Sequence, residues 1–345
     1  MSYFYRVAIR YFITGATGFL GGKVARQLLD DGHELVVLAR DLTRAADLAE
    51  AGGVVYQGDI TDRASLRTAM EGTDGVFHLA GWYRVGARDP TPAQVINVQG
   101  TRNVLEVMAE LEIPKGVYTS TLAVNSDTHG EIVDESYRFV GEHLSHYDRT
   151  KWEAHEKIAR PMIQDGLPLV VVLPGVIYGL GDHSSIGDTI ARFLRGRLPA
   201  VPQGAAYCWG HVADVARAHS LAMERGSIGS EYIVAGPAAT IWEALTIAAQ
   251  VSGRQPPRFQ APASLLRAIS AILDLPGRLV PWAAAQAEVL RVAAGVTYLG
   301  DNARARQQLA YAPRSLQDGF AEYIPALMNR MGLPMQAGNR PNNNA

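Results

Sequence analysis

Short runs rich in β-branched and aromatic residues recur along the first half of the chain, each followed by a stretch of helical periodicity. "RYFIT" (10–14) precedes 18–31, "ELVVLA" (34–39) precedes 41–50 and "GVVYQ" (53–57) precedes 62–71. "GVFHLA" (75–80) then precedes 92–111, "GVYTST" (116–121) precedes 144–165, and "LVVVLP" (169–174) closes the series. Parallel strands cannot be joined by a two-residue turn, and a crossover helix is the usual link. The alternation therefore predicts an α/β fold, a parallel sheet doubly wound by helices on both faces. In the first helix Leu20, Val24 and Leu28 repeat every four residues as one apolar stripe, and Gly32 follows as its C-cap.

After residue 174 the rhythm breaks into loops, helices near 184–196, 212–225 and 240–252, and the strand "EYIVAG" (231–236). This predicts a Rossmann-type domain over 10–173 with 205–228, and a smaller mixed α/β lobe over 174–204 and 229–330 that binds substrate against it. The polar, Asn-rich residues 331–345 read as a disordered tail, and residues 1–9 as an extension before the first strand.

"ITGATGFLGG" (13–22) places Gly15, Gly18 and Gly21 between the first strand and the first helix. Small residues there allow a tight turn, a close backbone approach to a pyrophosphate and close helix–strand packing, while the helix N-terminus offers free N–H groups to phosphate. The expected ligand is a dinucleotide. At the end of the second strand stands Arg40, with Arg44 one turn on, where an acidic residue would bind the ribose of NAD. A guanidinium pairs with a 2′-phosphate, which favours NADP(H) over NAD(H). Arg40 as one more solvated arginine is the plain alternative, and a register shift of one residue would bring Asp41 to the ribose and favour NAD.

Only four lysines occur, and Lys151 stands four residues after Tyr147 in "HYDRTKWE" (146–153). Residues at this spacing share a helix face. A free phenol, with a pKa of about 10, holds its proton too tightly for chemistry at neutral pH, and a neighbouring ammonium lowers that value. The pair then becomes a candidate proton donor and acceptor.

"TGATGFLGG", "GDITD" (58–62), "HLAG" (78–81), "NVQGTRNVLE" (97–106), "YTSTLAV" (118–124), "YDRTK" (147–151), "LPGVIYGLGD" (173–182) and "HVADVARAH" (211–219) together resemble the extended short-chain dehydrogenase/reductases, also called the NAD-dependent epimerase/dehydratase family, in order and spacing. The resemblance covers about residues 10 to 325. Within the family the chain is most similar to the branch containing dihydroflavonol reductases, 3β-hydroxysteroid dehydrogenases and hopanoid-associated sugar epimerases, through "HLAGWYRVGARDP" (78–90) and "RGSIGSEYIVAGP" (225–237).

The resemblance implies that Tyr147 is the catalytic acid/base and that Lys151 binds the nicotinamide ribose and acidifies the phenol. It places the third hydroxyl at Thr121, or at Ser120 if the register slips by one. Gly15, Thr17, Gly18, Phe19, Leu20 and Gly21 would cradle the cofactor. Asp59 beside Ile60 would meet the adenine, Leu79 and Ala80 would line the cofactor at the fourth strand, and Pro174, Val176 and Ile177 would flank the nicotinamide. Asn97 and Asn103 would hold backbone groups. A homodimer through helices of the first lobe is the family's common assembly.

Trp82, Tyr83, Tyr178, Tyr207 and Trp209 follow strand ends and are candidate substrate contacts, with plain core packing as the alternative. His143, His146 and His155 lack a carboxylate or thiol at ligand spacing, so no metal is expected. A Gly-x-Ser-x-Gly elbow is absent. His211 and Asp214 read as lobe-joining residues.

A net charge of -2 gives no general attraction to nucleic acid or an anionic surface, local patches apart. The single Cys208 excludes an internal disulfide and points to a reducing, cytoplasmic setting. The N-terminus lacks the features of a secretory signal. "APASLLRAISAILDLPGRLVPW" (261–282) is broken by Arg267, Asp274 and Arg278, short of a membrane span, and reads as helices packed on the body or facing a partner.

Three functions fit. The first is an NADP(H)-dependent oxidoreductase that interconverts a carbonyl and a secondary alcohol on a small-molecule substrate. The second is a nucleotide-sugar epimerase or dehydratase, whose members usually carry an arginine on the substrate's pyrophosphate just before the His-Val-x-Asp segment. This chain has "AAYCWGHVAD" (205–214) there, although Arg192, Arg195 and Arg197 offer another phosphate grip. The third is a non-catalytic NADP sensor, disfavoured by the retained Tyr/Lys pair.

Overall fold

A computed structural model of the chain describes residues 8–277 and 280–334. The strands of its main sheet are β1 (Arg10–Thr14), β2 (Glu34–Ala39), β3 (Val54–Gln57), β4 (Gly75–His78), β5 (Gly116–Thr119), β6 (Leu169–Pro174) and a seventh, Glu231–Val234. They lie in the order β3-β2-β1-β4-β5-β6-seventh, and every neighbouring pair is parallel. The helices between them are α1 (Phe19–Asp30), α2 (Ala46–Glu50), α3 (Arg63–Met70), α4 (91–110) and α5 (146–164).

Side-chain alternation explains why the sheet is buried on both faces. Phe12 packs with Val36, Leu66, Val104 and Val171 on one side, while Tyr11 and Ile13 pack with Val24, Leu28, Val37 and Val172 on the other. A central parallel strand must be apolar on both sides, which is what "LVVVLP" supplies. In α1, Val24 and Leu28 are fully covered and Leu20 is half-buried.

The second lobe is built around a four-stranded sheet. After β7 (Val176–Tyr178), helix α6 (Ser185–Leu194) and β8 (Val201–Pro202) comes its central strand β9 (Ala206–His211), which pairs with β7, with a strand at Ala238–Thr240 and with another at Thr297–Tyr298. Helix α7 (Val212–Arg225) returns to the main sheet, whose seventh strand is β10 (Glu231–Val234). The expected lobe boundaries are corrected here. β9 belongs to the second sheet although 205–228 read as part of the first domain, and β10 belongs to the first although 229–330 read as the second lobe. "EYIVAG" runs parallel beside β6 and completes the sheet, so its pattern is that of a buried Rossmann strand.

The remaining elements are β11 (Ala238–Thr240), α8 (Ile241–Ser252), β12 (Gln260–Ala261), α9 (Ala263–Gly277), α10 (Pro281–Ala293), β13 (Thr297–Tyr298), α11 (Ala303–Leu309) and α12 (Leu316–Arg330). The second core gathers Tyr178, Trp209, Ala244, Leu245, Phe320 and Ile324. Asp214 on α7 accepts from the Arg314 guanidinium at 2.9 Å and from its backbone N–H at 3.0 Å, tying α7 to the start of α12, as the lobe-joining role of that segment predicts. Of the expected disordered tail, residues 331–334 finish α12, with the Leu333 N–H on the Met328 carbonyl, and Leu333 packs on the second core. The rest of that tail and most of the expected N-terminal extension lie outside the described residues.

Candidate active site

The loops after β1, β4, β5 and β6 open at one edge of the sheet, and the reversal of strand order between β1 and β4 puts a crevice there. Gly15 adopts φ +77°, and a Cβ on it would stand 2.7 Å from the Ala80 backbone nitrogen. A Cβ on Gly21 would stand 2.1 Å from the Gly15 carbonyl oxygen. Gly18 caps α1 without any side-chain hydrogen bond and is exposed, so the first-turn N–H groups of α1 face outward. The turn that holds Thr17, Phe19 and Leu20 therefore fits a dinucleotide pyrophosphate on backbone geometry alone.

Arg40 follows β2 with its side chain exposed, 4.0 Å from the Asp59 carboxylate, and Arg44 donates to the Thr17 carbonyl at 3.4 Å. Two guanidiniums thus border the glycine turn. Asp41 is turned away: its carboxylate accepts from the Thr43 N–H at 3.0 Å and hydroxyl at 2.6 Å, capping the next turn. Those bonds hold its pKa below the usual carboxylate range. Asp59 is engaged in the same way by Thr61. Ile60 is not where the resemblance implied, since its side chain fills the core against Gly100 and Asn103 holds its carbonyl at 2.9 Å. Only the Ile60 backbone is left to face a ligand.

At β4 the Ala80 N–H donates to the Thr14 hydroxyl, so Leu79 and Ala80 flank the Gly15 turn. Beneath them His78 bridges Thr14 at 2.8 Å and Thr101 at 3.0 Å and stacks on Tyr118. Burial, with the charge of Lys151 as the second cause, drives the His78 pKa down to about 3, so the ring is neutral.

Ser145 caps α5 by accepting from the Asp148 N–H, and this fixes where the next turn points Tyr147 and Lys151. Lys151 is buried, donates to the Thr119 carbonyl at 2.8 Å and to the Tyr118 hydroxyl at 3.3 Å, and lies 4.8 Å from the centre of the Tyr118 ring. Burial lowers its pKa to about 7. The Thr121 hydroxyl accepts from the Ala123 N–H at 3.2 Å and keeps its own proton to donate. Burial pushes the Tyr147 phenol up to about 12, with Thr121 pulling the other way. Burial, and not the expected influence of Lys151, is the largest cause acting on the phenol.

The choice between Thr121 and Ser120 has a geometric answer. Ser120 points behind the sheet edge, with its hydroxyl 2.7 Å from His155 Nδ1. His155 Nε2 is 3.1 Å from Glu231, and Glu231 is gripped by Arg160 at 2.6 and 2.7 Å. Burial alone would raise the Glu231 pKa, yet its bonds to His155 and Arg160 prevail and hold it near 2. Sequence reasoning missed this network, as it missed Tyr118. Both π-helical turns among the described residues support the site: Asn97, in Gln94–Gly100, binds the Trp82 backbone on both sides and Thr150, and His155 lies in His155–Ala159.

Past the pair, Asp148 is buried with Tyr298 donating to it at 2.9 Å, and burial raises its pKa to about 7. Tyr207 stacks on Tyr298 with ring centres 5.9 Å apart. Tyr207 is therefore a covered neighbour of the site and not an open substrate contact. Tyr178 and Trp209 are corrected outright. Both are core side chains of the second lobe, Trp209 donating to the Ala239 carbonyl and Tyr178 lying edge-on to Phe320. Trp82 is half-buried and Tyr83 exposed, and both line a cavity of 550 Å³ with Arg88 and His183. Pro174 ends β6 fully covered, and Val176 and Ile177 continue from it half-buried.

Residues 11–235 match the NAD-dependent epimerase/dehydratase family. The chain belongs to that family. Sterol demethylase protein B of Methylococcus capsulatus is 29% identical over 90% of this chain and 96% of its own length. The 4-hydroxy-2-methyl-3-oxo-4-farnesyl-3,4-dihydroquinoline-1-oxide ketoreductase of Stigmatella aurantiaca is 30% identical over 89% of this chain and 92% of its own. Among solved structures, gox2253 superposes with a TM-score of 0.80 at 29% identity, covering 93% of this chain and 98% of that one. As a member of this family the chain is an NAD(P)-dependent enzyme of the extended short-chain dehydrogenase/reductase type, with the Rossmann-type sheet those proteins share.

Proposed function

We propose that this enzyme is an NADP(H)-dependent oxidoreductase that interconverts a carbonyl and a secondary alcohol on a small or apolar substrate. The observation that supports the reading most is Lys151, buried and anchored on the Thr119 carbonyl at the carboxyl end of β5, one turn along α5 from Tyr147 and beside the strand end that carries Thr121. The bound cofactor supplies or accepts the hydride at the substrate carbon. In the reducing direction Tyr147, kept protonated by its burial, gives its proton to the carbonyl oxygen as that oxygen gains negative charge. Thr121 donates a hydrogen bond to the same oxygen. Lys151, anchored on the Thr119 carbonyl, offers its ammonium to the phenolate left behind. In the oxidising direction the same proton returns to Tyr147.

Arg40 and Arg44 beside the glycine turn, with Asp41 occupied elsewhere, support NADP over NAD. Against a nucleotide-sugar substrate stands β9, which carries Tyr207, Cys208 and Trp209 and no arginine where one would be needed to grip the pyrophosphate. One relative is named a ketoreductase of a farnesylated ring, which supports this reading, and another a UDP-glucose 4-epimerase. A nucleotide-sugar epimerase is the second reading, favoured by the exposed Arg192, Arg195 and Arg197 at the end of α6. A homodimer through first-lobe helices and a cytoplasmic setting complete the proposal.

Titrating the purified protein with NADPH and NADH tests it. NADPH is expected to bind at least about tenfold more tightly, and Arg40→Ala to remove most of that preference, since a paired phosphate contact contributes a charge-assisted hydrogen bond. Equal affinity for both, or NAD that cannot be removed, would favour the epimerase.

A further inference from the structure

Helices α9 and α10 form a hairpin whose two faces differ sharply. Its inner face holds the active site. Glu288 accepts from the His146 N–H, one residue before Tyr147, at 3.0 Å, and Arg291 donates to the Leu144 carbonyl at 3.2 Å. The hairpin also abuts the loop that carries Trp82 and Tyr83, since a Cβ on Gly86 would meet Val289 at 2.3 Å. Between hairpin, loop and the start of α5 lies a cavity of 460 Å³ that includes Arg88, Ser145, Ala284 and Glu288.

The outer face is apolar and bare. Sixteen large hydrophobic residues are exposed among the described residues, and eight of them fall between Phe259 and Val289. On α9, Leu265, Ile269 and Ile272 recur at helical spacing along one side, followed by Leu275, Val280 and Trp282 at the hairpin tip. Ile272 is 65% and Leu275 78% exposed. A patch of this kind marks a surface that meets another apolar phase.

We propose that the outer face of the α9–α10 hairpin lies in the interface of an anionic lipid bilayer. The charge pattern selects the occupant. The acids of this segment are engaged, Asp274 by Arg291 and Glu288 by the His146 N–H. Arg258 and Arg267 are exposed. A second copy docking about a two-fold axis would set the positive charge of Arg258 and Arg267 against itself, which like charges oppose. Anionic headgroups complement it, and aliphatic residues with a tryptophan beside arginines are the composition of a helix lying in the interface. Among the described residues no helix is long and apolar enough to cross a membrane, so the contact is peripheral. The lipid contact does not rest on the carbonyl reading above.

The full chain is to be floated with vesicles of phosphatidylcholine, with and without phosphatidylglycerol. Binding to the anionic vesicles about tenfold above that to neutral ones is expected, with a blue shift of tryptophan fluorescence that Trp282→Ala diminishes. The double variant Ile272→Glu/Leu275→Glu is expected to abolish flotation while NADPH affinity stays at the wild-type value, which separates lost docking from lost folding. Arg267→Glu should reduce flotation to anionic vesicles alone. Absence of flotation, or flotation that the double variant retains, overturns the proposal. So does a concentration-dependent dimer in sedimentation that the double variant dissociates, since the face would then belong to a second copy. Tyr147→Phe is expected to float like the wild type whatever its turnover, so failure of the carbonyl reading is told apart from failure of this one.

Discussion

The Ser120 hydroxyl lies 2.7 Å from His155 Nδ1, whereas the Thr121 hydroxyl accepts from the Ala123 N–H at 3.2 Å and keeps its own proton to donate, so Thr121 is the hydroxyl assigned to the crevice. Neighbours in a strand-like segment point to opposite faces, and only one of the two can reach the crevice. Thr121→Val is expected to lower kcat/KM by about tenfold to a hundredfold, the usual loss for one hydrogen bond made in the transition state. Ser120→Ala should leave turnover within about threefold and cost about 1–3 kcal/mol of stability, because it strands a buried imidazole nitrogen. Steady-state kinetics and denaturant titration of the two variants check the assignment.

Glu231 gives the network behind the site a pH signature. Its folded pKa is held near 2, below the value of about 4.3 in an unfolded chain. Between those values the unfolded state binds more protons, so this stabilisation is complete above the unfolded pKa and is lost as pH falls toward 2. Glu231→Gln should remove about 3 kcal/mol at neutral pH and flatten the acid limb of the stability curve, measured by thermal or urea unfolding from pH 2 to 7.

Lys151 acts in the opposite range. Burial sets its folded pKa at about 7, against about 10.4 for a free lysine. From pH 7 upward the unfolded chain keeps a proton that the native site has released, so stability rises with pH by up to about 1.4 kcal/mol per unit until the unfolded lysine titrates. Lys151→Met should abolish that slope, a difference that urea titrations between pH 7 and 10 would reveal.

Tyr178 separates packing from recognition. Its hydroxyl finds no hydrogen-bond partner among the described residues and lies where a Cβ on Gly319 would come within 1.8 Å. Tyr178→Phe is therefore expected to leave kcat/KM unchanged and stability unchanged or raised by about 1 kcal/mol, since it removes a buried unsatisfied hydroxyl. A fall in kcat/KM would return Tyr178 to the substrate surface.

The contrast between what the sequence disclosed and what it hid follows from the range of the forces involved. The glycine turn, the alternating strands and the i, i+4 pair Tyr147/Lys151 are local patterns, and the helices at 19–30, 146–164 and 212–225 lie within about two residues of their expected bounds. The partners of those residues are not local. Tyr118 meets Lys151 from 33 positions away, Glu231 meets His155 from 76, and Tyr298 meets Asp148 from 150. No periodicity announces such pairs. Tyr178 and Trp209 misled because an aromatic at a strand end looks the same whether it faces a crevice or a second core, and here Phe320 and Ile324, over a hundred residues on, decide it. The pKa of Tyr147 belongs to the same class: spacing gives the neighbour, and only the packed fold gives the desolvation.

The most direct measurement is the comparison of Tyr147→Phe with the wild type in NADPH-dependent reduction of an apolar ketone, together with direct titration of NADPH. Turnover is predicted to fall by about a hundredfold to ten-thousandfold, the range for loss of a general acid, with the NADPH dissociation constant unchanged within about twofold. Turnover by the phenylalanine variant within about threefold of the wild type would contradict the role given to that phenol.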